Sequence, residues 1–232
     1  MSKEQHCGNN ALKEAGDGSL LNDKLHSYIE ELIPGREPLF IEMEKYALEN
    51  KVPIMELVGI EALLQLLRIQ NSSKILEVGT AIGYSALRMA EALPNASIVT
   101  IERDIDRIQA AEEYIVRSKH GKQVILIKGD ALEVEELVGE QAPYDTIFVD
   151  AAKGQYQKFF EMYSKYLSID GIIITDNVLF KGLVTQSEIE SKRIRNLVRK
   201  IDNFNQWLMN HPDYHTVILP VGDGIAISKK KR

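Results

Sequence analysis

The feature that most constrains this sequence is a series of short apolar runs, each stopped by glycine or a charged residue. Lys74–Val78 and residues 97–101, 124–127, 146–149 and 171–175 read as strands. Residues 85–93, 105–119, 157–167 and 187–211 have helical spacing and separate most of these runs. Strands alternating with helices imply a mainly parallel sheet covered on both faces. Two last runs, 216–219 and 224–228, leave no room for a helix, so they are expected to form a hairpin through Pro220-Val221-Gly222-Asp223. The expected class is α/β: a Rossmann-like, mostly parallel seven-stranded sheet with a C-terminal antiparallel hairpin. Upstream, helices are expected over residues 21–33 and Pro38–Asn50, and a third opened by Pro53 that carries Ile54, Leu57, Leu63, Leu64 and Leu67. The reading is a loose tail over 1–20, then a single domain over 21–232, with N-terminal helices (21–70) on a Rossmann-like core (71–232).

The 232 residues are 44% hydrophobic, enough for one sizeable core. No apolar stretch approaches the length of a membrane span, and residues 1–18 lack the apolar middle of a signal peptide. The lone cysteine, Cys7, excludes an intramolecular disulfide and fits a reducing cytoplasm. The net charge of −6 argues mildly against a nucleic-acid partner, but its distribution is uneven. Lys192, Arg193, Arg195, Arg199 and Lys200 form an acid-free basic stretch, and the chain ends Lys229-Lys230-Lys231-Arg232. A solvated helix face and a solubilising tail are the plainer readings of these clusters.

The first strand runs into Glu77-Val78-Gly79-Thr80-Ala81-Ile82-Gly83 and then a helix. Glycines there let the backbone approach a ligand, and the helix N-terminus offers free amides. A tight strand-to-helix turn with no ligand is the alternative. The second strand ends Thr100-Ile101-Glu102-Arg103-Asp104, and an acid at this place can accept both ribose hydroxyls of an adenosine cofactor. Glu102 lies 23 residues after Gly79, near the expected distance. In Gly129-Asp130-Ala131, after the third strand, Asp130 is placed to meet an adenine amine. Glu77 would repel a pyrophosphate and attract a methionine ammonium, which favours S-adenosylmethionine over a nicotinamide cofactor.

Asp150 ends the fourth strand, and Asp176-Asn177 follow the fifth. In a doubly wound sheet such strand ends converge on the ligand crevice. Two carboxylates and an amide oxygen are hard donors suited to Mg²⁺ (or Mn²⁺), although both acids could merely cap the segments that follow. Lys153, three residues beyond Asp150, is a candidate general base beside such a cation, or else a surface lysine. Tyr156 and Trp207 read as packing aromatics.

Taken in order, Glu77-Val-Gly-Thr-Ala-Ile-Gly-Tyr-Ser85, Ile101-Glu-Arg-Asp104, Phe148-Val-Asp-Ala-Ala-Lys153 and Thr175-Asp-Asn-Val178 resemble the catechol and caffeoyl-CoA O-methyltransferase family. The resemblance spans roughly residues 35 to 230. It implies the class I methyltransferase fold, S-adenosylmethionine as donor, Asp150, Asp176 and Asn177 as metal ligands, and catalytic roles for Lys153 and Asp150. It also places Met55, Gly79, Thr80, Gly83, Tyr84, Ser85, Ala131 and Asp150 beside the cofactor, with Tyr84 and Ser85 near its carboxylate. Finer likeness in Pro53-Ile-Met-Glu56, Ala151-Ala-Lys-Gly-Gln-Tyr156, the 177–183 loop and Leu219-Pro-Val-Gly-Asp-Gly224 is to a bacterial branch. That branch converts 5-hydroxyuridine at the wobble position of transfer RNA to 5-methoxyuridine. The resemblance therefore implies a transfer-RNA anticodon loop as substrate, with the basic stretch 192–200 meeting its phosphates. A small catechol-like or CoA-ester acceptor is the alternative. A homodimer is expected from the family and from the apolar content of the N-terminal helices (Leu39, Phe40, Met43, Leu57, Leu63).

Overall fold

Seven strands form one sheet, in the order β3-β2-β1-β4-β5-β7-β6, in a computed structural model that describes residues 23–186 and 188–232. The expected tail over 1–20, with Cys7, lies outside the described residues. The strands are β1 Lys74–Val78, β2 Ser97–Glu102, β3 Val124–Lys128, β4 Tyr144–Val149, β5 Leu167–Thr175, β6 Tyr214–Leu219 and β7 Ile225–Lys230. The first five are parallel, while β7 is antiparallel to both β5 and β6. The expected hairpin is present, but its second strand, β7, is the one inserted beside β5.

Eight α-helices are described: α1 Asp23–Leu32, α2 Pro38–Asn50, α3 Leu57–Gln70, α4 Tyr84–Ala92, α5 Ile105–Arg117, α6 Glu135–Gly139, α7 Tyr156–Tyr163 and α8 Lys192–Met209. Two boundaries differ from the sequence expectation for identifiable reasons. Pro53 does not open a helix. The Val52 amide caps the end of α2 through Ala47, and α3 begins only at Leu57, after Glu56 in extended geometry. The helix expected over 187–211 starts at Lys192 because the Ser191 hydroxyl accepts from the Ile194 amide.

Alternation along each strand divides the core between the two faces. On one face Ile75, Ile98, Phe148 and Ile174 meet α2, α3 and α4 through Phe40, Met43, Leu63, Leu64, Leu67, Leu87 and Met89. On the other, Leu76, Val99, Ile147 and Ile173 meet α7 and α8 through Phe159, Phe160, Tyr163, Phe204 and Leu208. Full burial of such a side chain stabilises by about 1.5–3 kcal/mol. Phe40, Met43 and Leu63, which the sequence offered to a second subunit, are fully buried within the chain, and Leu39 and Leu57 pack against the same core. Trp207 packs as expected, stacked on Phe204 at 5.9 Å and edge-on to Phe160 at 5.2 Å.

The N-terminal helices are wired to α4, the helix that leaves the glycine loop. Arg88 is 4% exposed, lies over the rings of Phe40 and Tyr84, and pairs with Glu61 and Glu91. The Tyr84 hydroxyl donates to Glu44 at 2.6 Å, and Glu44 also takes the Arg36 guanidinium at 2.7 Å. A buried cation is tolerated only with such partners.

Candidate active site

The register sets the geometry of the site. Val78 pairs with Val149, Val149 with Thr175, and Thr175 with Ala226. Gly79, Asp150 and Asp176 are therefore the first residues past the ends of β1, β4 and β5, at one level of the sheet. Backbone bonds continue beyond the strands, from the Gly79 amide to Ile101, from Asp150 to Val78 and from Asp176 to Val149. A cleft of about 1000 Å³ opens over these ends. Gly79, at φ 109°, sits so close to β4 that an added Cβ would lie 2.0 Å from the Asp150 carbonyl oxygen. Glycine is required there by close approach as well as by backbone conformation.

On the β1–β2 side, acids are satisfied by the backbone. The Glu102 carboxylate accepts the amides of Ala81 (2.8 Å), Arg103 (2.9 Å) and Asp104 (3.0 Å). It still lines the cleft, at the end of β2 where the sequence placed it. Asp130 also lines the cleft and is held below the usual carboxylate range, chiefly by the Leu132 amide and then by the Arg103 guanidinium at 2.7 Å. Gly79, Thr80, Met55 and Ala131 line the same cavity. Gly83 supplies the left-handed turn, φ 85°, that starts α4.

Three residues on this side sit differently from a simple picture of cofactor contacts. Glu77 is fully buried behind the loop, where it accepts the hydroxyls of Ser85 and Thr100. Burial is the main cause that pushes its carboxyl up to about 7, against the pull of those two hydroxyls. Ser85 lines the cleft, so Glu77 communicates with the cavity through Ser85. Tyr84 lines the cleft, and its hydroxyl is engaged by Glu44 and Arg88.

On the β4–β5 side the carboxylates crowd together. Asp150, Asp176, Asn177 and Lys153 all line the cleft. Asp176 is 3% exposed, and loss of hydration, followed by the neighbouring Asp150 charge, raises its carboxyl well above the usual range. Burial likewise raises Asp150, with Lys153 opposing and Asp223 adding to the rise. Asn177 adopts a left-handed conformation, φ 57°, and its side-chain oxygen accepts from the Lys153 ammonium, which stands 5.8 Å from the Phe180 ring centre. The Asn205 amide nitrogen holds the next carbonyl, Val178, at 2.7 Å.

Sequence reasoning missed Asp223 as a site residue. It read as a hairpin turn, yet it lines the cleft beside Asp150 and Asp176. The antiparallel pairing of β7 with β5 brings the start of β7, and the loop before it, to the carboxyl end of β5. The basic residues Lys192, Arg193, Arg195, Arg199 and Lys200 are all exposed on α8. Their helix reaches the cleft mouth, since a Cβ on Gly154 would lie 3.3 Å from the Lys200 ammonium.

This sheet order, with a glycine loop after β1 and an acid at the end of β2, is the Rossmann-like methyltransferase fold. A Staphylococcus aureus structure provisionally described as a caffeoyl-CoA O-methyltransferase superposes with a TM-score of 0.82, at 37% identity, over 90% of this chain and 98% of that one. The chain belongs to the O-methyltransferase family whose sequence pattern matches residues 32–231. It is 30% identical to the flavonoid 3',5'-methyltransferase of Vitis vinifera, over 99% of each protein. It is also 30% identical to caffeoyl-CoA O-methyltransferase 1 of Arabidopsis thaliana, over 94% of this chain and 89% of that protein. An O-methyltransferase of Bacillus cereus in complex with SAH superposes with a TM-score of 0.75, at 25% identity, covering 88% of this chain and 96% of that one. Among the described residues no helix is long and apolar enough to cross a membrane.

Proposed function

We propose that the chain transfers the methyl group of S-adenosylmethionine to a hydroxyl of a small acceptor with two adjacent oxygens, either catechol-like or carried as a CoA ester. Asp150, Asp176 and Asn177 would hold Mg²⁺ or Mn²⁺. The observation that carries this reading is the convergence of two carboxylates and an amide oxygen at one level, directly beside the glycine loop. The donor set fits a hard cation with room for acceptor oxygens. The Lys153 ammonium already sits on the Asn177 oxygen, a cation where a cation is wanted. Asp150, Asp176 and Asn177 would hold such an ion where its Lewis acidity would lower the pKa of an acceptor hydroxyl. Glu102 would hold the donor's ribose, Asp130 its adenine end, and Ser85, backed by Glu77, its methionine end. The sulfonium carbon–sulfur bond would break as the carbon–oxygen bond forms, and Lys153, displaced from Asn177 by the metal and having given up a proton to solvent, would receive the hydroxyl proton as a neutral amine. In-line positioning supplies much of the acceleration in such transfers. The small-acceptor reading is supported by relatives at 30% identity whose names specify flavonoid and caffeoyl-CoA substrates.

A second reading, the wobble 5-hydroxyuridine of transfer RNA, is favoured by one observation: the five exposed basic residues that lead along α8 to the cleft mouth. Both are tested by transfer of labelled methyl from the donor to catechol, caffeoyl-CoA and 5-hydroxyuridine-containing transfer RNA, with and without chelator. Efficient, chelator-sensitive turnover of a small acceptor supports the first reading; transfer confined to the RNA overturns it in favour of the second. The RNA arm is sharpened by the Arg193→Ala, Arg199→Ala variant. Arg195 is spared because its guanidinium holds the carbonyls of Ile189 and Glu190. If RNA is the substrate, binding should weaken for all sequences. The log–log salt slope should flatten by about 0.7 per lost single-strand phosphate contact.

A further inference from the structure

Outside the cleft, three ligand-bearing side chains from distant parts of the sequence converge. Glu37 lies just before α2, Glu91 in the last turn of α4, and His120 in the turn between α5 and β3. Each offers one ligand atom, and these atoms all lie within 4.8 Å of one another. The three side chains are 31%, 28% and 17% exposed, so an ion can enter the group without leaving it fully in solvent.

The backbone fixes all three positions. The Glu37 carbonyl accepts the amides of Phe40 (3.0 Å) and Ile41 (3.3 Å), which starts α2, while its side chain makes no capping bond and meets His120 instead. The Ser118 hydroxyl takes the His120 amide at 3.1 Å. The Gln123 side-chain amide donates to the carbonyls of Leu93 (2.9 Å) and Ala96 (3.0 Å), which pins the His120 turn to the chain leaving α4. Gly121 permits this approach, since a Cβ there would lie 1.9 Å from the Ile115 carbonyl oxygen. Ligands held in this way lose little freedom when an ion arrives.

Donor chemistry separates this group from the cleft. One imidazole with two carboxylates suits a borderline ion such as Zn²⁺, whereas two carboxylates with an amide oxygen suit Mg²⁺. In a tetrahedral Zn²⁺ shell, ligand atoms about 2.0–2.2 Å from the ion stand roughly 3.3–3.5 Å apart. Nε2 of His120 and Oε1 of Glu37 are already 3.3 Å apart. Glu91 needs only a small side-chain movement to join them. Two resident cations touch the acids: the Lys119 ammonium is 2.7 Å from Glu37, and Nε of Arg88 is 3.2 Å from Glu91. Lys119 is 68% exposed and can swing into solvent, and Arg88 keeps Glu61 as a partner.

We propose that Glu37, Glu91 and His120 form a Zn²⁺ site, with water in the fourth position and Lys119 displaced. Bound there, the ion would clip the start of α2 to α4 and to the turn between α5 and β3. The chain leaving α2 forms part of the cleft wall from Lys51 to Glu56, so the site would brace that wall from outside the chemistry.

The test is Zn²⁺ affinity by competition with a chromogenic chelator, in excess Mg²⁺, together with thermal melting with and without Zn²⁺. The parent should bind one Zn²⁺ that excess Mg²⁺ does not displace, and an Asp150→Ala, Asp176→Ala protein should still bind it. His120→Gln and Glu91→Gln should each weaken this binding by at least about tenfold. Lys119→Met should tighten it by up to about fivefold, which is what a surface ion pair is worth. A gain of affinity cannot come from a damaged fold. Zn²⁺ should raise the melting temperature of the parent and leave that of His120→Gln unchanged. Three results overturn the proposal: loss of all Zn²⁺ binding in the Asp150→Ala, Asp176→Ala protein, affinity within twofold of the parent in both His120→Gln and Glu91→Gln, or no tightening in Lys119→Met.

Discussion

At the ends of β1 and β2 the acidic groups are answered by the protein itself, whereas at the ends of β4 and β5 and the start of β7 they are not. Glu102 takes three backbone amides, and Asp130 takes an amide and a guanidinium. Across the cleft, Asp150 and Asp176 are opposed only in part by Lys153, and burial raises both above the ordinary carboxylate range. One half is therefore preformed for a neutral hydrogen-bonding partner such as a ribose. The other is complete only when positive charge arrives. The difference separates what shape can hold from what charge must hold.

The largest expected effect comes from removing the unsatisfied half. Asp150→Ala combined with Asp176→Ala should cut methyl transfer by more than about a hundredfold. EDTA should reproduce the loss in the parent, and Mg²⁺ should reverse it. Full turnover by the double variant would erase the distinction between the halves. Next in size is Glu102→Gln. Charge-assisted hydrogen bonds are worth about 1.5–3 kcal/mol each, so donor affinity measured by calorimetry should fall by at least about tenfold. Mn²⁺ affinity should stay unchanged, and a parallel loss would mean that the halves are coupled.

The smallest effect probes Glu77, buried between them. Its folded-state value of about 7 stands above the ordinary 4.5. Between these values the unfolded chain releases its proton while the folded chain keeps it. The contribution of Glu77 to stability is therefore largest below about pH 4.5 and declines as pH rises to about 7, by on the order of 3 kcal/mol. Glu77→Gln should remove this decline, so its melting advantage over the parent should grow from pH 5 to pH 8. Equal pH profiles for both proteins would show that Glu77 is ionised within the fold.

Much of this was legible beforehand because strands buried on both faces write themselves as apolar runs. Asp150, Asp176 and Asn177 were found because each immediately follows such a run. Pro53 misled because proline serves equally at a helix start and in an extended segment, and here it lies in the segment that carries Met55 to the cleft. Asp223 was illegible for a topological reason. An Asp-Gly pair before a strand is the usual sign of a hairpin turn. Only the pairing of Thr175 with Ala226 shows which strand that turn abuts. The engagement of Tyr84 by Glu44 was hidden similarly, since the two are 40 residues apart in sequence.

The insertion of β7 between β5 and β6 also bears on how the protein is made. As the chain leaves the ribosome, β6 emerges before β7, its only neighbour in the finished sheet, which separates it from β5. Both strands keep open edges until β7 slides between them, and open edges are templates for pairing with other chains. The glycine loop and the amide nest around Glu102 can assemble early, whereas Asp223 reaches the cleft only once the final interior strand is in place, so the donor side of the cleft can form well before its far wall is complete.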